Sequence, residues 1–107
     1  MTDRSHTRAL VVGAGGLGCP VLLGLAEAGV GRIRLVDDDR VELSNLQRQV
    51  LYGVSDVGRL KVEASRDRLE RRFPDLSLEV EATRLDATNV SRVLDGVDVV
   101  IDATDDP

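Results

Sequence analysis

Two segments of the chain carry residues suited to chemistry on a nucleotide. A glycine loop, Gly13-Ala14-Gly15-Gly16-Leu17-Gly18, follows an apolar run and allows backbone N–H groups to approach phosphates. A polar run then begins at Asp37, contains Arg48, and is followed by Lys61. A carboxylate suits ribose hydroxyls, while a guanidinium and an ammonium suit the phosphates of a triphosphate. Chemistry on ATP is therefore the leading hypothesis.

The two cations are the residues that a dehydrogenase does not require. Arg48 and Lys61 would neutralise the charge that builds up between the α- and β-phosphates when pyrophosphate leaves. Lys61 lies at the start of a predicted helix, where its charge opposes the helix dipole, and this favours a ligand nearby. For either cation alone, a solvated charge on a polar loop is the competing interpretation.

Acidic residues near the end of the chain suggest a metal. Asp105 and Asp106 follow the last predicted strand, where a carboxylate can hold Mg²⁺ against a triphosphate. Asn45 has two roles open to it, bridging the nucleotide or closing a turn. The spacing Gly13-x-Gly15-x-x-Gly18 also fits a dinucleotide loop, so the glycines alone do not distinguish ATP from NAD.

Short apolar runs and helical periods alternate along the chain and define the elements that must position these residues. Gly29 stops the first helix, Pro74 ends the second, and the long connection between strand 2 and helix 2 is predicted to be functional. The predicted strands are 8–12, 32–37, 76–83 and 97–102; the predicted helices are 16–28, 59–73 and 88–95, with a short helical turn around 44–48.

This order predicts an α/β protein with a Rossmann-like, doubly wound parallel sheet of strand order 3-2-1-4. The alternating strand 76–83 suits a sheet edge, whereas strand 4 is as apolar as a central strand although it ends the order. We therefore expect only the first half of a larger sheet, with the apolar edge completed by further chain or covered by a second copy in a homodimer.

Composition bounds the remaining possibilities. The formal net charge of −5 argues against nucleic acid, and a single cysteine excludes an internal disulfide and a multi-cysteine zinc site. No apolar run has the length of a membrane span, so a cytoplasmic location is expected. We expect a polar tail over residues 1–7 and an ATP-binding domain over 8–107 that is truncated on its C-terminal side.

Taken together, these motifs resemble the ubiquitin-activating-enzyme-like superfamily, whose bacterial members adenylate small sulfur-carrier proteins of the molybdopterin and thiamine pathways. The resemblance covers nearly the whole chain, and its most specific element is residues 44–49. The matching segments are Gly13-Ala14-Gly15-Gly16-Leu17-Gly18, Asp37-Asp38-Asp39, Ser44-Asn45-Leu46-Gln47-Arg48-Gln49, Gly58-Arg59-Leu60-Lys61-Val62-Glu63 and Asp102-Ala103-Thr104-Asp105.

The resemblance implies an adenylyltransferase that activates the C-terminal glycine of a ubiquitin-like carrier as an acyl-adenylate. It implies ATP and Mg²⁺ as cofactors, with catalytic roles for Arg48, Lys61 and Asp105 and with Asp105 as the magnesium ligand. The ATP-binding residues that it implies are Gly13, Gly15, Gly16, Asp37, Ser44, Asn45, Gln47, Arg48, Lys61, Asp105 and Asp106.

The chain departs from the family pattern in three ways. Asp106 stands where the family usually has Asn, and the partner-supplied arginine helix is not seen before strand 1. A downstream catalytic cysteine and paired zinc ligands are also not seen. Two alternatives stay open: a non-catalytic nucleotide-binding or interaction module, and, more weakly, an NAD-dependent oxidoreductase that would leave Arg48, Lys61 and Asp105 without roles.

Overall fold

A computed structural model of the chain describes residues 6–13, 18–42 and 53–103. Each predicted strand and helix is present with its ends shifted by a few residues, and the turn predicted around 44–48 lies outside the described residues. The elements are β1 (Arg8–Val12), α1 (Gly18–Glu27), β2 (Arg32–Val36), a short 3-10 helix (Val54–Asp56), α2 (Lys61–Arg72), β3 (Ser77–Glu81), α3 (Val90–Leu94) and β4 (Val99–Asp102).

The four strands form one parallel sheet in the order β3-β2-β1-β4, which confirms the predicted order. Val12 is paired with Val36, so β1 and β2 end at the same level. The ladder continues one step further, because the Gly13 N–H donates to Val36 O at 2.9 Å and the Asp37 N–H donates to Glu81 O at 3.2 Å. The residues that follow β1 and β2 therefore share one edge of the sheet.

Both faces of the sheet are covered, but unequally. Successive residues of a strand point to opposite faces. One face packs on α1 and α2 and builds the larger core, which is aliphatic and includes Ala9, Val11, Leu22, Ile33, Leu35, Val62 and Leu69. The other face packs on the five-residue α3 through a smaller cluster of Leu10, Val36 and Val93. Such a short helix covers only part of that face.

The end of α1 follows the glycine signal in the sequence. The Val30 N–H donates to Leu25 O at 3.1 Å and the Gly29 N–H donates to Ala26 O at 3.2 Å, a Schellman arrangement that satisfies the last carbonyls of the helix. Gly29 has φ +88°, a conformation that side chains disfavour.

The two outer strands differ in character. β3 has exposed Ser77 and Glu79, as its alternating sequence predicts for an edge. Among the described residues β4 pairs with β1 alone, and its Val99 and Val100 are 40% and 49% exposed. None of the helices in the described ranges combines the length and apolar character that a membrane crossing requires.

Candidate nucleotide-binding site

Gly13 and Asp37 lie at the carboxyl edge of the sheet, directly after the paired last residues of β1 and β2. Gly13 is buried and has φ +101°, which glycine adopts without the steric cost that a Cβ would bring. This conformation turns the chain sharply as it leaves the sheet. In a doubly wound sheet, ligands bind outside the carboxyl ends of the strands, where the strand order reverses, here between β1 and β4.

Three consecutive carboxylates follow β2. Asp37 Oδ1 accepts the Asp39 N–H at 2.7 Å, a local turn that Asp favours because its side chain reaches its own backbone two residues on. Oxygen atoms of Asp37, Asp38 and Asp39 lie within 4.8 Å of one another. The edge of the sheet is thus strongly acidic beside β2.

A short antiparallel pairing brings the start of α2 to these carboxylates. Residues 39–41 run against residues 58–61: the Lys61 N–H donates to Asp39 O at 2.9 Å, and the Val41 N–H donates to Arg59 O at 2.8 Å. The Gly58 N–H in turn donates a hydrogen bond to Val41 O at 2.8 Å. These bonds fix the first residue of α2 beside Asp39.

Lys61 is buried although it carries an ammonium group. The residue is only 6% exposed, and its Nζ lies 3.8 Å from Asp39 Oδ2, which is longer than a hydrogen bond. It is also the first residue of α2, where the helix dipole disfavours a cation. Lys61 is the only lysine of the chain. A buried cation in this position requires negative charge nearby, and the exposed Asp39 supplies part of it.

Asp56 anchors the segment that leads to Lys61. It is 2% exposed, and its carboxylate accepts the Gly53 N–H at 2.8 Å, Arg68 Nη2 at 2.9 Å and Arg59 Nη1 at 3.2 Å. Burial by itself would raise the pKa of the Asp56 carboxyl. The Gly53 N–H and the guanidiniums of Arg68 and Arg59 outweigh it, so the pKa lies below its ordinary value.

The structure brings together those predicted site residues that it describes. Gly13 and Asp37 lie at the carboxyl edge, and Lys61 reaches the same edge through Asp39. The other predicted residues lie outside the described ranges: Gly15, Gly16, Ser44, Asn45, Gln47, Arg48, Asp105 and Asp106. Their roles stay predictions.

Sequence reasoning missed Asp56 and gave Asp39 only a weak role. Asp56 sits in a polar connection without a hydrophobic period, and one of its cationic partners, Arg68, is distant in sequence. The contact between Asp39 and Lys61 likewise depends on a pairing of two irregular segments. Neither feature leaves a local sequence signal.

The description of the ThiF family matches residues 2–107 of this chain. The chain belongs to the ThiF family. It matches the Vanderwaltozyma polyspora adenylyltransferase and sulfurtransferase UBA4 with 47% identity over 102 residues, which are 95% of this chain and 23% of that protein. It matches the Haloferax volcanii SAMP-activating enzyme E1 with 50% identity over 99 residues, 92% of this chain and 37% of that protein.

Solved structures of similar fold give the same picture. The Escherichia coli MccB structure determined with ATP superposes with a TM-score of 0.89 at 32% identity and covers 98% of this chain and 31% of that one. The E. coli tRNA N6-threonylcarbamoyladenosine dehydratase TcdA gives a TM-score of 0.91 at 32% identity, with coverage of 96% and 44%. The chain therefore has the ThiF-family fold and spans less than half the length of these relatives.

Proposed function

We propose that this ThiF-family chain forms the nucleotide-binding part of an ATP-dependent adenylyltransferase. Its substrate would be the C-terminal glycine carboxylate of a ubiquitin-like sulfur-carrier protein. The observation that carries the proposal is the buried ammonium of Lys61, held at the carboxyl edge of the sheet beside the carboxylates that follow β2.

The environment of Lys61 favours a polyanionic ligand. Desolvation of an ammonium is unfavourable unless charge or hydrogen bonds compensate for it, and the N-terminal end of α2 adds an unfavourable dipole. Asp39 is exposed and lies at 3.8 Å, so it compensates only in part. A triphosphate at this edge would add negative charge beside Nζ, and the N-terminal end of α1 after the glycine loop would offer N–H groups to it.

Asp37 supports a nucleoside at the same edge. It follows β2 directly, at the position where a carboxylate accepts hydrogen bonds from ribose hydroxyls in doubly wound sheets. Its side chain is already oriented, because Oδ1 accepts the Asp39 N–H at 2.7 Å. An oriented carboxylate loses little conformational entropy when it binds ribose.

In the proposed reaction a carboxylate oxygen of the carrier attacks the α-phosphorus of ATP. A bond forms between that oxygen and phosphorus, and the bond from phosphorus to the α–β bridging oxygen breaks. Pyrophosphate leaves with the electron pair, and an acyl-adenylate remains. Lys61, with Arg48 as a predicted partner, stabilises the negative charge that develops on the phosphates, and the protein supplies no covalent nucleophile.

The residues beside the site fit a magnesium ion. Mg²⁺ prefers oxygen ligands, commonly one or two carboxylates together with substrate phosphates, and the Asp37–Asp39 carboxylates provide such donors at the edge. Asp105 is our predicted ligand. When bound, the ion would neutralise phosphate charge during the transfer.

The named relatives support both the adenylyltransferase activity and the sulfur-carrier substrate of the proposal. UBA4 and the probable MoeZ protein of Mycobacterium tuberculosis are named as adenylyltransferases and sulfurtransferases, and MccB has been crystallised with ATP. Sulfurtransfer in those proteins motivates a sulfur-carrier substrate here. MccB has also been crystallised with MccA.

Ligand-induced thermal stabilisation tests the nucleotide. We expect ATP with Mg²⁺ to raise the melting temperature, because a ligand that binds only the native state stabilises it, and we expect NADH to leave it unchanged. Protection by NADH without protection by ATP would contradict the ATP assignment and favour the oxidoreductase alternative.

Isotope exchange between pyrophosphate and ATP, with a ubiquitin-like carrier present, tests the chemistry. Lys61→Ala should lower the exchange rate by about 10²- to 10³-fold, the usual cost of removing one charge-stabilising group from a transition state. Arg71→Ala is the matched control, because it removes an exposed cation from the other end of α2. ATP protection without any exchange would favour the non-catalytic module instead.

A further inference from the structure

A second concave site lies at the opposite end of the sheet. The cavity has a volume of about 90 Å³ and is lined at the amino ends of β1, β2 and β3. Its polar lining consists of Arg8, Arg32, Arg34, Ser77, Glu79 and Asp95. Since the five-residue strands are about 16 Å long at about 3.3 Å per residue, the cavity is remote from the nucleotide edge.

The three arginines occupy one face of the sheet, the face that the short α3 covers only in part. Arg8 is paired with Arg32 across the β1–β2 ladder, and Arg34 lies two residues after Arg32 on the same face. Ser77 is the next residue in the row, because it is paired with Arg32 on the other side. Arg8, Arg32 and Ser77 therefore occupy adjacent positions on one face of the sheet, and all three line the cavity.

Arg34 already has a structural role. Its guanidinium donates to Val93 O at 2.6 Å and Asp95 O at 3.3 Å, which satisfies carbonyls at the C-terminal end of α3. It also bonds Glu79 Oε2 at 3.2 Å through both Nε and Nη2. Glu79 is therefore neutralised by Arg34 and is not paired with the other two arginines.

Arg8 and Arg32 are exposed and do not have the partners that Arg34 has, although the Arg8 backbone N–H donates to Asp98 Oδ2 at 2.9 Å. Neighbouring strands are about 4.8 Å apart, so two arginines that are directly paired across a ladder repel each other. Among the residues that the structure describes, no carboxylate lies within ion-pair distance of either guanidinium. A Cβ added to Gly96 would stand 2.6 Å from Arg8 Nη1, so the Arg8 head lies against the turn after α3 at the wall of the cavity.

We propose that this cavity is a binding site for a phosphate-type oxyanion, held by Arg8 and Arg32 with the Ser77 hydroxyl. Guanidiniums bind the oxygens of phosphate with paired, charge-assisted hydrogen bonds. A cavity of about 90 Å³ has room for a group of phosphate size. The anion would also remove the repulsion between the paired arginines.

The test is a titration of the protein with inorganic phosphate at constant ionic strength, followed by melting temperature and calorimetry. Wild-type protein should be stabilised by phosphate and not by chloride. The double variant Arg8→Gln/Arg32→Gln should weaken phosphate binding by at least about tenfold, while Arg66→Gln/Arg71→Gln, which removes the same charge from α2, should not. A parallel arm with O-phosphoserine distinguishes free phosphate from a phosphorylated side chain as the source.

The melting temperature of Arg32→Gln and the ATP protection of the double variant also test the proposal. Without multivalent anions, Arg32→Gln should leave the melting temperature unchanged or raise it, because it removes a repulsion. The Arg8/Arg32 double variant should keep its ATP protection, since the two sites lie at opposite edges. An unchanged phosphate response in that double variant, or no phosphate response in wild-type protein, would overturn this site and leave the adenylyltransferase proposal unaffected.

Discussion

At the scale of single residues, the chain uses buried charge in two ways. Lys61 is buried with an exposed counter-ion, Asp39, 3.8 Å from its Nζ, which compensates its charge only in part. Asp56 is buried with three hydrogen-bond donors, two of them cationic, and these donors compensate its charge within the protein. Buried charges that are paired stabilise structure, whereas those that are poorly compensated mark functional sites.

The Asp56 network predicts a pH-dependent contribution to stability. Because its pKa is lower in the folded than in the unfolded protein, Asp56 contributes stability that is present above the unfolded value of about 3.9 and is lost as the pH falls through the folded pKa. Asp56→Asn should therefore lower the free energy of unfolding at pH 7 by about 2 to 3 kcal/mol. The lower end is favoured because Arg59 and Arg68 are each 38% exposed and can recover water.

Urea unfolding at pH 7 and at pH 3 measures this effect. The difference between wild type and Asp56→Asn should shrink at the lower pH. Asp67→Asn is the control: Asp67 is also paired with Arg59 but its side chain is 42% exposed, so its loss should cost less than about 1 kcal/mol. Equal effects of both substitutions would argue against a special role for Asp56.

At the scale of elements, the local sequence determines where α1 ends, whereas tertiary contacts determine where the start of α2 lies. Gly29 ends α1 because it accepts φ +88° and completes the Schellman bonds. The start of α2 has a different cause. It is positioned by the antiparallel pairing of residues 39–41 with 58–61, which joins the end of β2 to Lys61.

Two glycines of the same region give a matched test of helix ending. Gly29→Ala should lower the free energy of unfolding by about 1 kcal/mol, because alanine disfavours positive φ. Gly24→Ala, inside α1, should raise it by about 0.5 to 1 kcal/mol, since alanine is the better helix former. An added Cβ has open space at both positions, so only the backbone conformation distinguishes them. Thermal and urea unfolding of both variants should give opposite signs.

At the scale of the whole molecule, β4 gives the chain an unusual edge. Within the part of the chain that the structure describes, it pairs with β1 only, and its Val99 and Val100 are exposed although the strand is as apolar as a central one. Exposed apolar edges favour pairing with further strands. The expectation that this edge is completed by more chain or covered by a second copy stays a prediction.

The edge predicts concentration-dependent self-association of the isolated chain, measured by light scattering. Val100→Lys should reduce it, because a charged side chain on an edge strand opposes strand pairing. Val54→Lys is the control, since Val54 is 75% exposed but lies in the 3-10 helix away from β4. A wild-type chain that stays monomeric at high concentration would argue against the edge hypothesis.

The fold was largely predictable because its signals are local. Buried parallel strands appear in the sequence as short apolar runs, and helices appear as apolar residues with a 3.6-residue period. Gly29 and Pro74 indicate where two of the helices end. The strand order followed from the right-handed crossover rule once the alternation of strands and helices was known. Gly13, Asp37 and Lys61 were predicted as site residues for the same reason, since each lies at the boundary of a recognisable element.

The element order, the α/β class and the residue types suited to ATP can be inferred from the sequence, because they depend on neighbours in the chain. The folded chain places Lys61 beside Asp39, Asp56 against Arg68, and Arg8 next to Arg32. Those three arrangements depend on the pairing of segments that are distant in sequence. The register of parallel strands and the path of an irregular connection set them, and neither leaves a periodic pattern in the chain.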